Sequence, residues 1–160
     1  MKCETNMTNA MTSLPFRFGA ETYTWYMKDQ GRAYAGRLGH MIEITARAGF
    51  AGFSPSHSWM GDLFDADRLE RALKDAGLDL AAIALVLPWN LPEETARERA
   101  EADATIALLK RFPGATLCTV QLPEGRHDLE ARQNNLVANL NAVSRRAAKA
   151  GVPASFHPNS

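Results

Sequence analysis

The sequence predicts an α/β fold, the front part of a (β/α)8 TIM barrel with about five parallel strands and four helices. Three observations lead there. Four helix-like segments each close on a glycine, at Gly49, Gly77, Gly114 and Gly151, and a short apolar run follows each one. Glycine takes the left-handed conformation past a helix end without steric cost, so this cadence is that of repeated helix–strand units. Strict alternation implies a parallel sheet, because right-handed crossovers set each helix beside its own strand pair. Finally, 160 residues are enough for one domain with a real core, but fewer than the roughly 250 usual for eight units.

The elements follow in order. The first strand runs from Phe16 to about Thr24, and a polar loop with Asp29, Gln30 and Gly31 follows. The first helix spans Arg37 to Ala48, with Leu38, Met41, Ile42, Thr45 and Ala48 on one stripe. Ala51 to Pro55 form a short second strand, and Ser56 to Phe64 its loop. Asp65 is the N-cap of a second helix that turns Leu69, Ala72, Leu73 and Ala76 inward. Leu80 to Leu87 form a continuous apolar run, the pattern of a parallel strand covered on both faces, and Pro88 ends it.

Pro92 opens the third helix, with Glu93 and Glu94 in a first turn where the dipole favours acids. With Glu98 and Glu101 these acids read as a solvated face, and the helix ends at Phe112, Pro113 and Gly114. Thr116 to Leu122 form the fourth strand. Leu129, Leu136, Leu140, Val143 and Ala147 mark a fourth helix over Asp128 to Lys149, and Ala154 to Phe156 begin the fifth strand.

Composition narrows the class. Residues 46% hydrophobic and 22% charged are ordinary for a globular protein. Eighteen basic and eighteen acidic residues balance to zero net charge, and without a basic stripe nucleic-acid binding has no support. Cys3 and Cys118 are the only cysteines and lie far apart, which fits a reduced, cytoplasmic setting. Residues 1–14 read as a disordered lead-in without a signal-peptide core, and residues 15–160 as one domain. No run approaches the ~18 apolar residues of a membrane span. Neither Gly-x-Gly-x-x-Gly nor a P-loop motif occurs, so dinucleotide and P-loop nucleotide chemistry lose their support. An open doubly wound sheet remains the rival architecture.

In both architectures ligands meet the C-terminal tips of the strands. Those tips read Thr22 to Tyr26, Ser54 to Trp59, Pro88 to Asn90, Gln121, and His157 to Ser160, and they hold all 3 tryptophans. Aromatic faces among amides and hydroxyls suit a polyhydroxylated small molecule. His157, leaving a buried strand before Pro158, is harder to explain as core filling, and it or His57 is the candidate base for aldose–ketose proton transfer. His57, in a serine-rich loop, reads first as solvated or locally bonded, and His40 and His127 carry no role. Trp25 and Trp89 serve equally as packing, and Gln121 as a loop cap. Glu21, inside the first strand, needs a partner if buried. The tips supply His157 and His57 but no obvious carboxylate, which falls short of a tight metal site.

Tyr23-Thr24-Trp25, Ala48 to Phe53, Val120 to Pro123, and Ser155 to Ser160 together carry a resemblance. Over roughly residues 16–160 the chain resembles the front half of sugar phosphate isomerase/epimerase proteins of the xylose isomerase-like TIM-barrel superfamily. Inosose dehydratase-like lyases of that superfamily are similar too. The resemblance implies a divalent metal (Mn²⁺, Mg²⁺, Co²⁺ or Zn²⁺) at the mouth, not necessarily bound by this fragment. Only the fifth-strand ligand maps here, onto His157. Many relatives carry a glutamate at the second strand's end, where this chain has Ser54 and Ser56.

The implied activity is metal-assisted isomerisation or epimerisation of a sugar, complete only with the strands that this sequence lacks. His157 would be the catalytic and metal-side residue, with Tyr23, Trp25, Trp89, Gln121 and Asn159 lining the sugar pocket. Two rival readings stay open. One is dehydration of a cyclic polyol at the same site. The other is a non-catalytic half barrel that self-associates, as a homodimer, through the outer edges of its first and fifth strands.

Overall fold

A computed structural model describes residues 17–23, 25, 37–122, 125 and 127–158. The strands are β1 (Gly19–Glu21), β2 (Gly52–Ser54), β3 (Asp79–Leu80), β4 (Ala82–Leu87), β5 (Thr116–Gln121) and β6 (Ala154–His157). Between them lie the helices α1 (Leu38–Arg47), α2 (Ala66–Ala76), α3 (Ala96–Leu109) and α4 (Leu129–Lys149). Two short 3-10 turns, His57–Trp59 and Gly61–Leu63, join β2 to α2. The expected lead-in, Asn159 and most of the first strand-to-helix loop fall outside the described residues.

Every ladder is parallel, in the orders β1-β2-β3 and β4-β5-β6. The apolar run expected over Leu80 to Leu87 is thus two strands, and Ala81 is the joint. Its N–H donates to Phe53 O at 2.9 Å, and its carbonyl accepts from Thr116 N at 3.0 Å. One residue therefore hands the chain from β2 to β5. An isolated bridge from Ser56 to Ala84 reconnects the two ladders further along. Five strand positions remain, the third of them broken, and the described strands form a partial barrel that does not close.

The helices form for reasons written in their ends. Asp65 caps α2 by accepting from Arg68 N at 2.9 Å. Gly77 takes φ +68° past its C-terminus, where Leu78 N returns to Leu73 O at 2.9 Å. Gly151 does the same for α4 at φ +76°, with Val152 N on Ala147 O. The third helix differs from its expected start. It begins at Ala96 rather than Pro92, because Thr95 and Glu98 form a capping box there.

Leu38, Met41, Ile42 and Thr45 of α1 are buried as the stripe predicts, while Ala48 is exposed. Leu69, Leu73, Leu109, Val143 and Ala147 bring the other helices onto Ile83, Leu85, Leu87 and Leu117 of the sheet. Each such leucine contributes about 1.5–3 kcal/mol when fully buried. The acids of the third helix are a correction. Glu98 is 3% exposed and the Glu94 side chain 4%, because each carries a bonding partner that lets it leave water.

Candidate functional site at the strand tips

The tips are tied together by backbone. Thr22, buried at the end of β1, donates its N–H to Ser54 O at 3.2 Å. Its Oγ1 accepts from Ser56 N at 3.0 Å, so one threonine pins the exits of β1 and β2. On the other side Leu122 N donates to Leu87 O at 3.0 Å, carrying the β4–β5 ladder one step past Gln121.

Side-chain alternation sorts the candidates onto two faces. Ile83, Leu85, Leu87 and Leu117 enter the helix-covered core. Cys118 and Ser155 stand in register, and their side chains bond on the opposite face. Burial pushes the Cys118 thiol above its ordinary pKa; the Ser155 bond opposes this and the Glu21 carboxylate adds to it. The inner face therefore brings Glu21, Cys118 and Ser155 near one another. His157, two residues beyond Ser155 and in register with Val120, returns to that same face and is exposed.

The remaining predicted residues separate. Tyr23 is 52% exposed just past β1. Trp25 is half-buried against the core, its N–H on Thr22 O at 3.0 Å. Gln121 is in register with Leu87, and alternation sets it on the helix-facing side with Leu117 and Thr119. Trp89 departs furthest from a pocket-lining role: it is 0% exposed, inside the core, with no surface to stack on a sugar. Asn159 lies outside the described residues.

The loop holding Trp89 is the most heavily fastened part of this end. Trp89 sits at φ +57°, a left-handed conformation that costs a bulky residue about 1–3 kcal/mol unless its surroundings impose it. Here they do. Glu98 Oε1 accepts from Trp89 N at 2.7 Å, while Oε2 accepts from Thr95 N and Thr95 Oγ1, both at 2.8 Å. Asn139 Nδ2 donates to Trp89 O at 3.1 Å and Leu91 O at 2.9 Å, and Asn135 Nδ2 to Asn90 O at 3.0 Å. Glu94 is gripped by Arg146. Asn135, Asn139 and Arg146 recur at helical spacing, so one stripe of α4 holds the whole loop. Trp89 Nε1 is buried without a hydrogen-bond partner among the described residues.

His57 lies in the first 3-10 turn after β2. Its Nδ1 is 3.8 Å from Glu101 Oε2, and its ring meets Phe64 edge-on at 4.7 Å. It is thus neither freely solvated nor among the inner-face groups. Burial lowers its pKa below the usual 6.5; Glu101 pulls it back up and Arg97 pushes it further down.

The Thr95-x-x-Glu98 spacing was the available signal for the buried glutamate, since a capping box places N3 against the loop. Thr22 and Asn139 carried no such signal. Among the described residues no three His, Cys, Asp or Glu side chains converge on a point able to hold a metal ion. The metal of the resemblance does not fit this donor set by itself. A cavity of about 500 Å³ lies at the other end of the strands, lined by Arg17, Asp79, Arg111 and Gly114, away from the tips.

Comparison with known proteins agrees with this architecture. None of the curated proteins matches the chain. Among solved structures, a sugar phosphate isomerase/epimerase from Parabacteroides distasonis is 18% identical with a TM-score of 0.57, covering 90% of this chain and 51% of its own. The probable 3-DHS dehydratase AsbF of Bacillus anthracis is 16% identical, TM-score 0.64, over 91% of this chain and 54% of its own. The IOLI protein, solved with a bound zinc atom, is 15% identical, TM-score 0.63, over 89% and 51%. The chain thus spans about half the length of these three structures. The family model of the xylose isomerase-like TIM barrel matches residues 42–159. With its parallel ladders and glycine-closed helices, the chain belongs to the xylose isomerase-like TIM barrel family.

Proposed function

We propose that this chain forms the first half of a barrel that isomerises or epimerises a sugar at the tips of its strands. The observation that carries the reading is His157: an exposed imidazole at the end of β6, on the inner face shared by Ser155 and Cys118. Family membership and a solved neighbour named as a sugar phosphate isomerase/epimerase support it. An imidazole is suited to moving a proton between carbons flanking a carbonyl. Tyr23 and Trp25 offer rings at the same end, and Asn159 is the amide proposed to bond sugar hydroxyls, Gln121 being turned to the helix-facing side by its register with Leu87. Among the described residues His157 is the inner-face imidazole available to a divalent ion, whose other ligands would come from the rest of the full-length protein.

The test is turnover of ketoses and aldoses by the polypeptide in its full natural length, with Mn²⁺, Mg²⁺, Co²⁺ and Zn²⁺ each added. Loss of turnover in His157→Asn, with unchanged melting temperature, is expected. Absence of turnover in the unaltered protein with every metal would overturn the assignment. A dehydratase neighbour favours a second reading, water loss from a cyclic polyol; formation of the dehydrated product from inosose, without epimerisation, would establish it instead. A third reading, self-association of the 160-residue chain, is favoured by β6, whose four residues are all exposed. Light scattering decides it: a dimer supports edge pairing, and a monomer removes it.

A further inference from the structure

We propose that Glu98 is a positioning residue for this mouth, holding the exit of β4 in one conformation so that the rim beside Gln121 keeps its shape. The proposal deepens the sugar-site reading and rests on it. Its ground is a division of labour between two oxygens. Oε2 closes the capping box on Thr95, which is all that starting α3 requires. Oε1 is devoted to the N–H of Trp89, nine residues upstream and outside the helix. A residue serving only as a cap has no need of that second contact.

The position of the contact gives it its consequence. Trp89 follows Leu87 by two residues, and Leu87 is bonded to Leu122 and in register with Gln121. Trp89 holds a left-handed φ of +57°, which it would leave without an acceptor for its N–H. Releasing that N–H frees the chain between the ends of β4 and β5, at the end of the sheet where His157 lies. Asn139 donates to the carbonyl of the same residue and so fixes the next peptide group. The carboxylate is thus one jaw of a clamp, with α4 as the other.

Glutamine at this position distinguishes the two duties. Its amide has one accepting oxygen, so Glu98→Gln satisfies Thr95 or Trp89 and turns an N–H donor toward the other. Thr95→Ala removes a cap hydroxyl but leaves the Glu98–Trp89 bond in place. Both variants and the unaltered full chain would be studied by amide hydrogen exchange and by calorimetric titration with D-fructose and myo-inositol. Expected for Glu98→Gln is about tenfold faster exchange at Trp89 to Leu91 and about tenfold weaker polyol binding. Thr95→Ala should stay within about twofold on both, even though it also lowers the melting temperature. Equal responses of the two variants, or unchanged polyol affinity in Glu98→Gln, would overturn the positioning role while leaving the site reading intact. An unaltered chain that binds neither polyol overturns the site reading, and the positioning role falls with it.

Discussion

Glu94 and Arg146 meet through two parallel hydrogen bonds of 2.7 Å, Nη1 to Oε2 and Nη2 to Oε1, joining the entry of α3 to the last turns of α4. The Arg146 Nε reaches Asp103 at 2.7 Å, so its guanidinium is engaged along both edges. The Glu94 bond raises the Arg146 pKa above its ordinary value, and the group stays charged at every accessible pH. The Glu94 side chain is 4% exposed, so removal of Arg146 leaves a buried charge to the longer Arg99 contact of 3.6 Å. Arg146→Ala should cost about 3 kcal/mol by urea unfolding. Arg146→Lys, which keeps charge but loses the fork, should fall between the unaltered chain and Arg146→Ala. A loss under about 0.5 kcal/mol, the usual range of a surface substitution, would show that the pair is not buried in solution.

Asn139 offers a neutral counterpart. Its amide is 4% exposed and donates to two carbonyls, those of Trp89 and Leu91. Asn139→Ala leaves both without that donor, and about 2 kcal/mol of stability should go with it. The measurement is equilibrium denaturation, with tryptophan emission reporting whether the Trp89 environment opens before the rest unfolds.

His57 sets a pH dependence whose sign follows from its burial. Its pKa in the folded chain lies below 6.5, so the folded state binds this proton less readily than the unfolded state does. The associated stability is complete above 6.5 and is lost as pH falls from there toward the folded pKa. Melting temperatures from pH 7.5 down to about 5 should therefore decline, and His57→Gln should flatten part of that slope. Imidazole NMR gives a sharper check. Glu101→Gln removes the charge that raises the pKa and should lower it further, whereas Arg97→Gln should raise it. Opposite movements would contradict the placement of His57 between these two groups.

Leu109 tests the helix-to-sheet core. It is 1% exposed and packs in the main apolar cluster with Ile83, Leu85 and Leu117. Leu109→Ala should cost about 2–5 kcal/mol in chemical denaturation, depending on how far the site relaxes. Val137, 58% exposed on α4, is the contrast: Val137→Ala should stay within about 0.5 kcal/mol.

The order of elements was legible in the sequence because each helix announces its end with a local signal. Gly77 and Gly151 adopt the left-handed conformation their positions require, and Asp65 caps α2. What local pattern does not contain is the identity of long-range partners. The run through Ala81 looks continuous because its hydrophobicity is continuous, yet the hydrogen bonds of Ala81 divide it between two neighbours. Glu94 and Glu98 look like surface acids until Arg146 and the Trp89 N–H, contributed from elsewhere in the chain, meet them. The same holds at the strand tips. Sequence places His157 and Gln121 on neighbouring strands, but the register that assigns them to different faces exists only once β5 and β6 pair. Trp89 reads from the sequence equally as packing and as a pocket wall, and only the folded chain shows it buried in the core.

The grip of α4 on the turn after β4 bears on how a substrate would arrive. A segment anchored by Asn135, Asn139 and Arg146 cannot swing aside as a flap unless a helix of 21 residues travels with it. This side of the entrance is then a fixed doorpost. Any hinged door belongs on another strand exit, and entry and departure of the proposed sugar would be timed there.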